Sequence, residues 1–134
     1  MTSPTDTPTK AVLIVVEDDP DTQLLVEMIF SMDPRFRVAH VADSAKEAIE
    51  AARKTQPATI VLDHGLTGAL TGTDAAPLLK YVAPKAKIIL FTAYGELQAG
   101  ADAEPAIDAF LHKTQSPQLL PLARRLLGLE APQS

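Results

Sequence analysis

Four short apolar runs end on residues that can do chemistry. "AVLIVV" runs into Glu17, Asp18 and Asp19, "ATIVL" into Asp63, "KIILF" into Thr92, and "IDAFLH" into Lys113. Carboxylates crowded at one place repel and raise one another's pKa unless a cation neutralises them. An oxygen-only donor set with no His or Cys points to a hard cation, and open coordination positions suit Mg²⁺. A carboxylate can also act as a nucleophile, while a lysine ammonium and a threonine hydroxyl can donate to an anionic group beside it. Asp63 sits in "IVLDHGLTGALTG", where Gly65, Gly68 and Gly72 follow within ten residues. A phosphate-cradling glycine loop would need Gly-Lys-Ser/Thr entering a helix, and none is present, so the carboxylate is the candidate for chemistry. Taken singly, each residue also has an ordinary reading: acids after a strand are commonly solvated or cap helices, and Thr92 and Lys113 fit a satisfied strand end and a surface charge.

These residues meet only if the runs are strands of one sheet. β-branched runs alternate with stretches of helical period, the pattern of an α/β parallel sheet with crossover helices on both faces. A helix is expected over 21–32, with Leu24, Leu25, Met28 and Ile29 on its apolar face and Pro20 in its first turn. "RFRVAHV" alternates as an edge strand would. Ser44 and Glu47 form a capping-box pattern ahead of Ala48, Ile49 and Ala52. Another helix runs from Thr73 or Asp74 to Tyr81. "KIILF" has no internal polar residue and is expected at the sheet centre. In "YGELQAGADAEP" only a short helix fits, limited by Pro105. The last helix carries Leu119, Leu122, Ala123 and Leu126 on one stripe, and Pro121 implies an irregular start or a beginning near Leu120. In a right-handed doubly wound sheet, loops and helix N-termini converge outside the carboxyl ends of the strands, which is where all four sets lie.

At 134 residues and 14.3 kDa the chain is expected to form one domain with a packed core, without room for a separate output domain within these residues. Residues 1–9 and 130–134 read as tails around a folded unit at 10–129. A net charge of −5 and pI near 5.1 oppose binding to nucleic acid, which needs a basic face. There is no cysteine for disulfides or thiolate metal sites and no apolar run long enough for a membrane span, and the start "MTSPTDTPTK" lacks the apolar core expected of a signal peptide. A cytoplasmic protein is expected.

The constellation "VVEDDP", "IVLDHGL", "LFTA" and "FLHK", in that order and spacing, resembles the receiver domain of two-component response regulators over residues 10–129. The resemblance implies a flavodoxin-like five-stranded parallel sheet of order 2-1-3-4-5. It implies that Asp63 accepts a phosphoryl group from a histidine kinase or histidine phosphotransfer protein, and that the chain only phosphorylates and dephosphorylates itself. Mg²⁺ would be held by Glu17, Asp18, Asp63 and the Gly65 carbonyl, with Asp18 the more direct ligand of the acidic pair. Thr92 and Lys113 would contact the phosphoryl group, and Thr92 with Phe110 would switch a surface on the fourth helix, fifth strand and last helix read by a downstream protein.

Three departures from the family pattern stand out. Thr67 replaces a proline and the following glycine is displaced to Gly72, implying a longer, more flexible loop. Thr114 replaces a cis proline after Lys113, and "AEPAI" replaces a small Gly-Ala turn. His64 is expected to be a loop histidine facing away from its neighbour. Tyr94 either covers the phosphoryl site in part or packs on the fourth helix, and Phe110 can equally be plain core. Leu120 and Leu127, off the main stripe of the last helix, suggest a homodimer surface. The alternative function is a degenerate receiver that serves as a phosphorylation-independent interaction module. A small-molecule phosphatase is disfavoured because Gly65 stands where such an enzyme has a catalytic acid.

Overall fold

The computed structural model describes residues 10–130. Five parallel strands alternate with five helices: β1 (Ala11–Val16), α1 (Pro20–Ser31), β2 (Phe36–Ala42), α2 (Ala45–Thr55), β3 (Thr59–Leu62), α3 (Gly72–Val82), β4 (Lys87–Thr92), α4 (Gln98–Ala103), β5 (Ala109–His112) and α5 (Leu119–Leu126). The strand order is β2-β1-β3-β4-β5, as expected. β1, β3 and β4 lie inside the sheet, and Leu13–Val16, Ile60–Leu62 and Ile88–Phe91 are buried on both faces. That explains their unbroken apolar runs, because helices cover both sides of an all-parallel sheet. β2 and β5 are the edge strands, and the register of β2 with β1 shifts between Leu13 and Ile14, leaving Ala39 as the extra residue of a bulge.

Two core layers follow from the alternation of side chains. One packs α2, α3 and α4 on Ile14, Val16, Ile60, Leu62, Ile88 and Leu90. The other packs α1 and α5 on Leu13, Val15, Val61, Ile89 and Phe91. Fully burying each such side chain contributes about 1.5–3 kcal/mol.

Helix starts are set by short polar side chains. Asp19 caps α1 by accepting from the Thr22 amide, with Pro20 at the first helical position, and Thr71 caps α3 by accepting from the Asp74 amide. Ser44 caps α2 by accepting from the Glu47 amide (3.2 Å), whereas the Glu47 carboxylate pairs with His40 Nε2 (2.7 Å) instead of closing a capping box. Before α5, 3₁₀ turns span Lys113–Gln118, and α5 itself begins at Leu119, which accommodates Pro121 in its first turn.

Two expectations are corrected. The core-facing residues of α1 are Val26, Ile29 and Phe30, while Leu24, Leu25 and Met28 are exposed. Val26 and Phe30, four apart, share a stripe with Ile29, and Phe30 meets Phe36 edge to face at 5.1 Å. Leu120 is buried in the α1/α5 layer, and Leu127 packs partly buried on it, so this pair offers no exposed dimer patch.

Candidate functional site

The carboxyl ends of β1, β3, β4 and β5 bring the predicted residues together. Asp63 follows the last residue of β3, and its backbone N–H donates to the Val16 carbonyl (2.9 Å). Its Oδ1 accepts from the His64 amide (2.7 Å) and its Oδ2 from Lys113 Nζ (2.9 Å). Glu17, next after β1, is buried, with Oε1 2.8 Å from Lys113 Nζ and Oε2 accepting from the Asp19 amide (3.1 Å). Asp18 is exposed at the cleft rim. Asp19 is spent on the α1 cap.

One ammonium therefore serves two buried carboxylates. Burial pushes the Glu17 carboxyl up from its ordinary 4.5 to about 7, offset only in part by its bonds to Lys113 and the Asp19 amide. For Lys113, burial opposes the charged form, but hydrogen bonds to Glu17 and Asp63 outweigh it and raise its pKa. Each of Glu17, Asp18 and Asp63 offers an oxygen within 4.8 Å of the others'. Three carboxylates against one ammonium leave two negative charges uncompensated when all are ionised. An oxygen-only set with that deficit fits a divalent hard cation such as Mg²⁺.

Gly72 explains how Asp63 is backed. A Cβ there would lie 1.7 Å from the Asp63 carbonyl oxygen, and the Gly72 amide donates to the His64 carbonyl (2.8 Å). The first residue of α3 thus presses against the main chain of Asp63, an approach only glycine permits. The loop between is tied as well: the Thr67 amide donates to the Asp43 carbonyl (3.1 Å), in a bridge with Ser44. At Thr67 the loop is held against the start of α2 where the sequence suggested freedom.

Thr92 is fully buried, and its Oγ1 accepts from the Tyr94 amide (3.3 Å). Phe110 is partly buried on the α2–α4 side of the sheet, the side that alternation from Leu90 assigns to Thr92. Tyr94 and Gly65 line a cleft of about 370 Å³ with Glu17, Asp18, Asp63 and Lys113. A larger hollow, about 650 Å³, lies between α2 and the loop 67–70, away from the acids.

Three contributors escaped the sequence reading. His112 accepts the Thr114 amide at Nδ1 (3.1 Å) and its Nε2 lies 3.0 Å from the Ala93 carbonyl, which assigns the proton to Nε2. It fixes the turn that presents Lys113, with no cis peptide among the described residues. His64 is a loop residue, as expected, but its ring is engaged: Nδ1 lies 2.8 Å from Thr73 Oγ1 and the ring meets Tyr94 edge-on at 5.6 Å. Gln23 Nε2 donates to the Glu17 carbonyl (2.6 Å). A histidine next to each of Asp63 and Lys113 was the available signal for the first two.

The sequence model of the response regulator receiver domain matches residues 13–124. The chain belongs to that family. As a receiver domain of two-component systems it has the fold of solved relatives. The response regulator domain of Thermotoga maritima CheB superposes with a TM-score of 0.78 at 19% identity, covering 91% of this chain and 99% of that one. A LuxR-family response regulator from Aurantimonas sp. SI85-9A1 gives 0.80 at 24% identity, covering 92% and 90%. RcsB of Salmonella enterica serovar Typhimurium, bound to a promoter with the phosphomimetic BeF3-, gives 0.76 at 18%, covering 90% of this receiver and 61% of that chain. A Pseudomonas aeruginosa protein provisionally described as a transcriptional regulator is 30% identical over 96 residues, 66% of this chain. The receiver spans 45% of that relative's length. No helix among the described residues is long and apolar enough to cross a membrane.

Proposed function

We propose that Asp63 accepts a phosphoryl group from the phosphohistidine of a histidine kinase or phosphotransfer protein, and that the modified receiver signals by altered binding to a downstream protein in the cytoplasm. The observation that carries this reading is the buried Asp63 carboxylate, held on Lys113 and crowded by two further acids at the open end of the sheet. In the transfer, an Asp63 oxygen forms a bond to phosphorus as the P–N bond breaks, and the imidazole leaves with the electron pair. Such a loose transition state needs its peripheral oxygens neutralised more than it needs covalent help. Glu17, Asp18, Asp63 and the Gly65 carbonyl would hold Mg²⁺, which would supply part of that charge. Lys113 pairs with one phosphoryl oxygen as a point charge, and the Thr92 hydroxyl donates to another once it leaves the Tyr94 amide. That inward turn vacates space on the side of the sheet where Phe110 packs, giving a two-state element that the modification biases. The chain acts on itself only and turns over no other substrate.

The test is intact mass after incubation with Mg²⁺ and a small phosphodonor. A base-labile gain of one phosphoryl group, absent in Asp63→Asn, supports the reading. No adduct, together with no response to beryllofluoride, replaces it with a phosphorylation-independent interaction module.

A further inference from the structure

His64 follows Asp63, yet its ring is already committed elsewhere. Nδ1 is 2.8 Å from the Thr73 hydroxyl, and the ring plane lies at 71° to that of Tyr94 with centroids 5.6 Å apart. Thr73 is the second residue of α3, the helix whose first residue abuts the Asp63 carbonyl, so the tether runs to a rigid element. Tyr94 has no comparable anchor of its own. The residue is 48% exposed, and its hydrogen bonds are made by its backbone: its amide donates to Thr92 Oγ1 (3.3 Å) and its carbonyl accepts from the Leu97 amide (3.1 Å). The ring nonetheless lies over the cleft: a Cβ built on Gly65 would be 3.8 Å from Tyr94 Cε2 and 3.9 Å from its hydroxyl.

We propose that His64 is a positioning residue: tethered to Thr73, it holds the Tyr94 ring over the mouth of the cleft and so slows hydrolysis of the phosphoryl group on Asp63. The inference rests on Asp63 being the phosphoacceptor. In hydrolysis a water oxygen bonds to phosphorus as the Asp63–phosphorus bond breaks, which restores the carboxylate and releases inorganic phosphate, the water proton passing to phosphate or solvent. The incoming water must enter through the cleft mouth that Tyr94 narrows. When the Thr92 hydroxyl turns toward the phosphoryl group it gives up the Tyr94 amide, which leaves the Leu97 amide holding the Tyr94 backbone and His64 as the aromatic contact that holds its ring. An edge-to-face contact of this kind limits the effect to roughly twofold to tenfold in rate.

The full chain is phosphorylated with acetyl phosphate and Mg²⁺, freed of donor, and followed by intact mass. His64→Ala and Tyr94→Ala should each lose the phosphoryl group roughly twofold to tenfold faster than wild type, and the double variant no faster than Tyr94→Ala. Thr73→Val should shorten the lifetime while Thr73→Ser, which keeps the hydroxyl, should match wild type. In a Tyr81→Phe background, where Tyr94 is the one tyrosine left, His64→Ala should increase acrylamide quenching of tyrosine fluorescence in the unmodified protein. An unchanged lifetime in both His64→Ala and Thr73→Val, or additive effects in the double variant, overturns the inference and leaves the phosphoacceptor reading standing. Absence of any adduct in wild type sinks both.

Discussion

Carboxylates are buried at both ends of this sheet, and the two ends neutralise them differently. At the amino end, Asp33 is fully buried between α1 and β2 and accepts from Arg35 Nε (3.0 Å), Arg35 Nη2 (2.8 Å), the Arg35 amide (3.0 Å) and Arg124 Nε (3.0 Å). One acid meets two guanidiniums, and hydrogen bonding to Arg35, the largest influence, holds its pKa far below the usual carboxylate range against the pull of burial. At the carboxyl end, Glu17, Asp18 and Asp63 share Lys113, and Glu17 is pushed up to about 7. The first cluster is electrostatically complete and joins α1, β2 and α5. The second is short of positive charge, which is the condition for taking up a cation and then a phosphoryl group.

The largest effect should come from breaking the complete cluster. Asp33→Ala leaves two guanidiniums facing a vacancy, and losing one partner of a buried pair costs about 3 kcal/mol, toward the low end because Arg35 is partly solvated. Urea unfolding measures it. The folded-state pKa of Asp33 is depressed, so its contribution is present above the ordinary carboxylate range and lost as pH falls through and below it. The gap between wild type and Asp33→Asn should therefore close in acid. A gap that is constant from pH 7 to pH 3 would mean that Asp33 contributes by packing rather than by charge.

Glu17 should behave with the opposite sign. Its folded-state pKa is raised, so the stability it contributes is fully present below about 4.5 and lost as pH rises through about 7. Glu17→Gln removes that loss, and without metal it should gain about 1–2 kcal/mol over wild type at pH 8 compared with pH 4, a value reduced from the full shift to allow for water at the cleft. The same urea series run at both pH values reads it. If Glu17→Gln is less stable at pH 8, the site is not short of positive charge and the contrast between the two ends fails.

This contrast was only half visible in the sequence. The acids and Thr92 announced themselves by closing apolar runs, because a parallel strand buried on both faces allows polar residues only where it ends, and Lys113 by following the run of the half-buried edge strand β5. Asp33 carried no such mark: it sits in "SMDPRF", and its partner Arg124 is 91 residues away, so only the folded chain shows why it is buried. The α1 face misled for a related reason. Leu24, Leu25 and Met28 satisfy helical spacing as well as Val26, Ile29 and Phe30 do, and periodicity cannot say which of two apolar stripes the sheet covers. The role of Gly72 was hidden because a glycine-rich loop reads as freedom in sequence, whereas here a missing Cβ permits a close approach to Asp63.

The smallest effect tests whether the shortage of positive charge matters to the protein at rest. A cation that binds the folded state stabilises it in proportion to the logarithm of its excess over Kd, so Mg²⁺ at several times Kd should add about 1 kcal/mol. Equal ionic strength in NaCl should not reproduce this, since screening acts on exposed charges and Glu17 and Asp63 are buried. Asp18→Asn should remove most of the gain, because Asp18 supplies the exposed oxygen of the three. Asp33→Asn should keep it in full, since that cluster lies at the other end of the sheet and its one carboxylate is already matched by two guanidiniums. Added Mg²⁺ should also flatten the rise in stability from pH 8 to pH 5 attributed to Glu17, because a cation beside a carboxylate favours its ionised form. Equal Mg²⁺ shifts in Asp18→Asn and wild type would place the ion elsewhere and remove the charge shortage as the reason these acids are gathered.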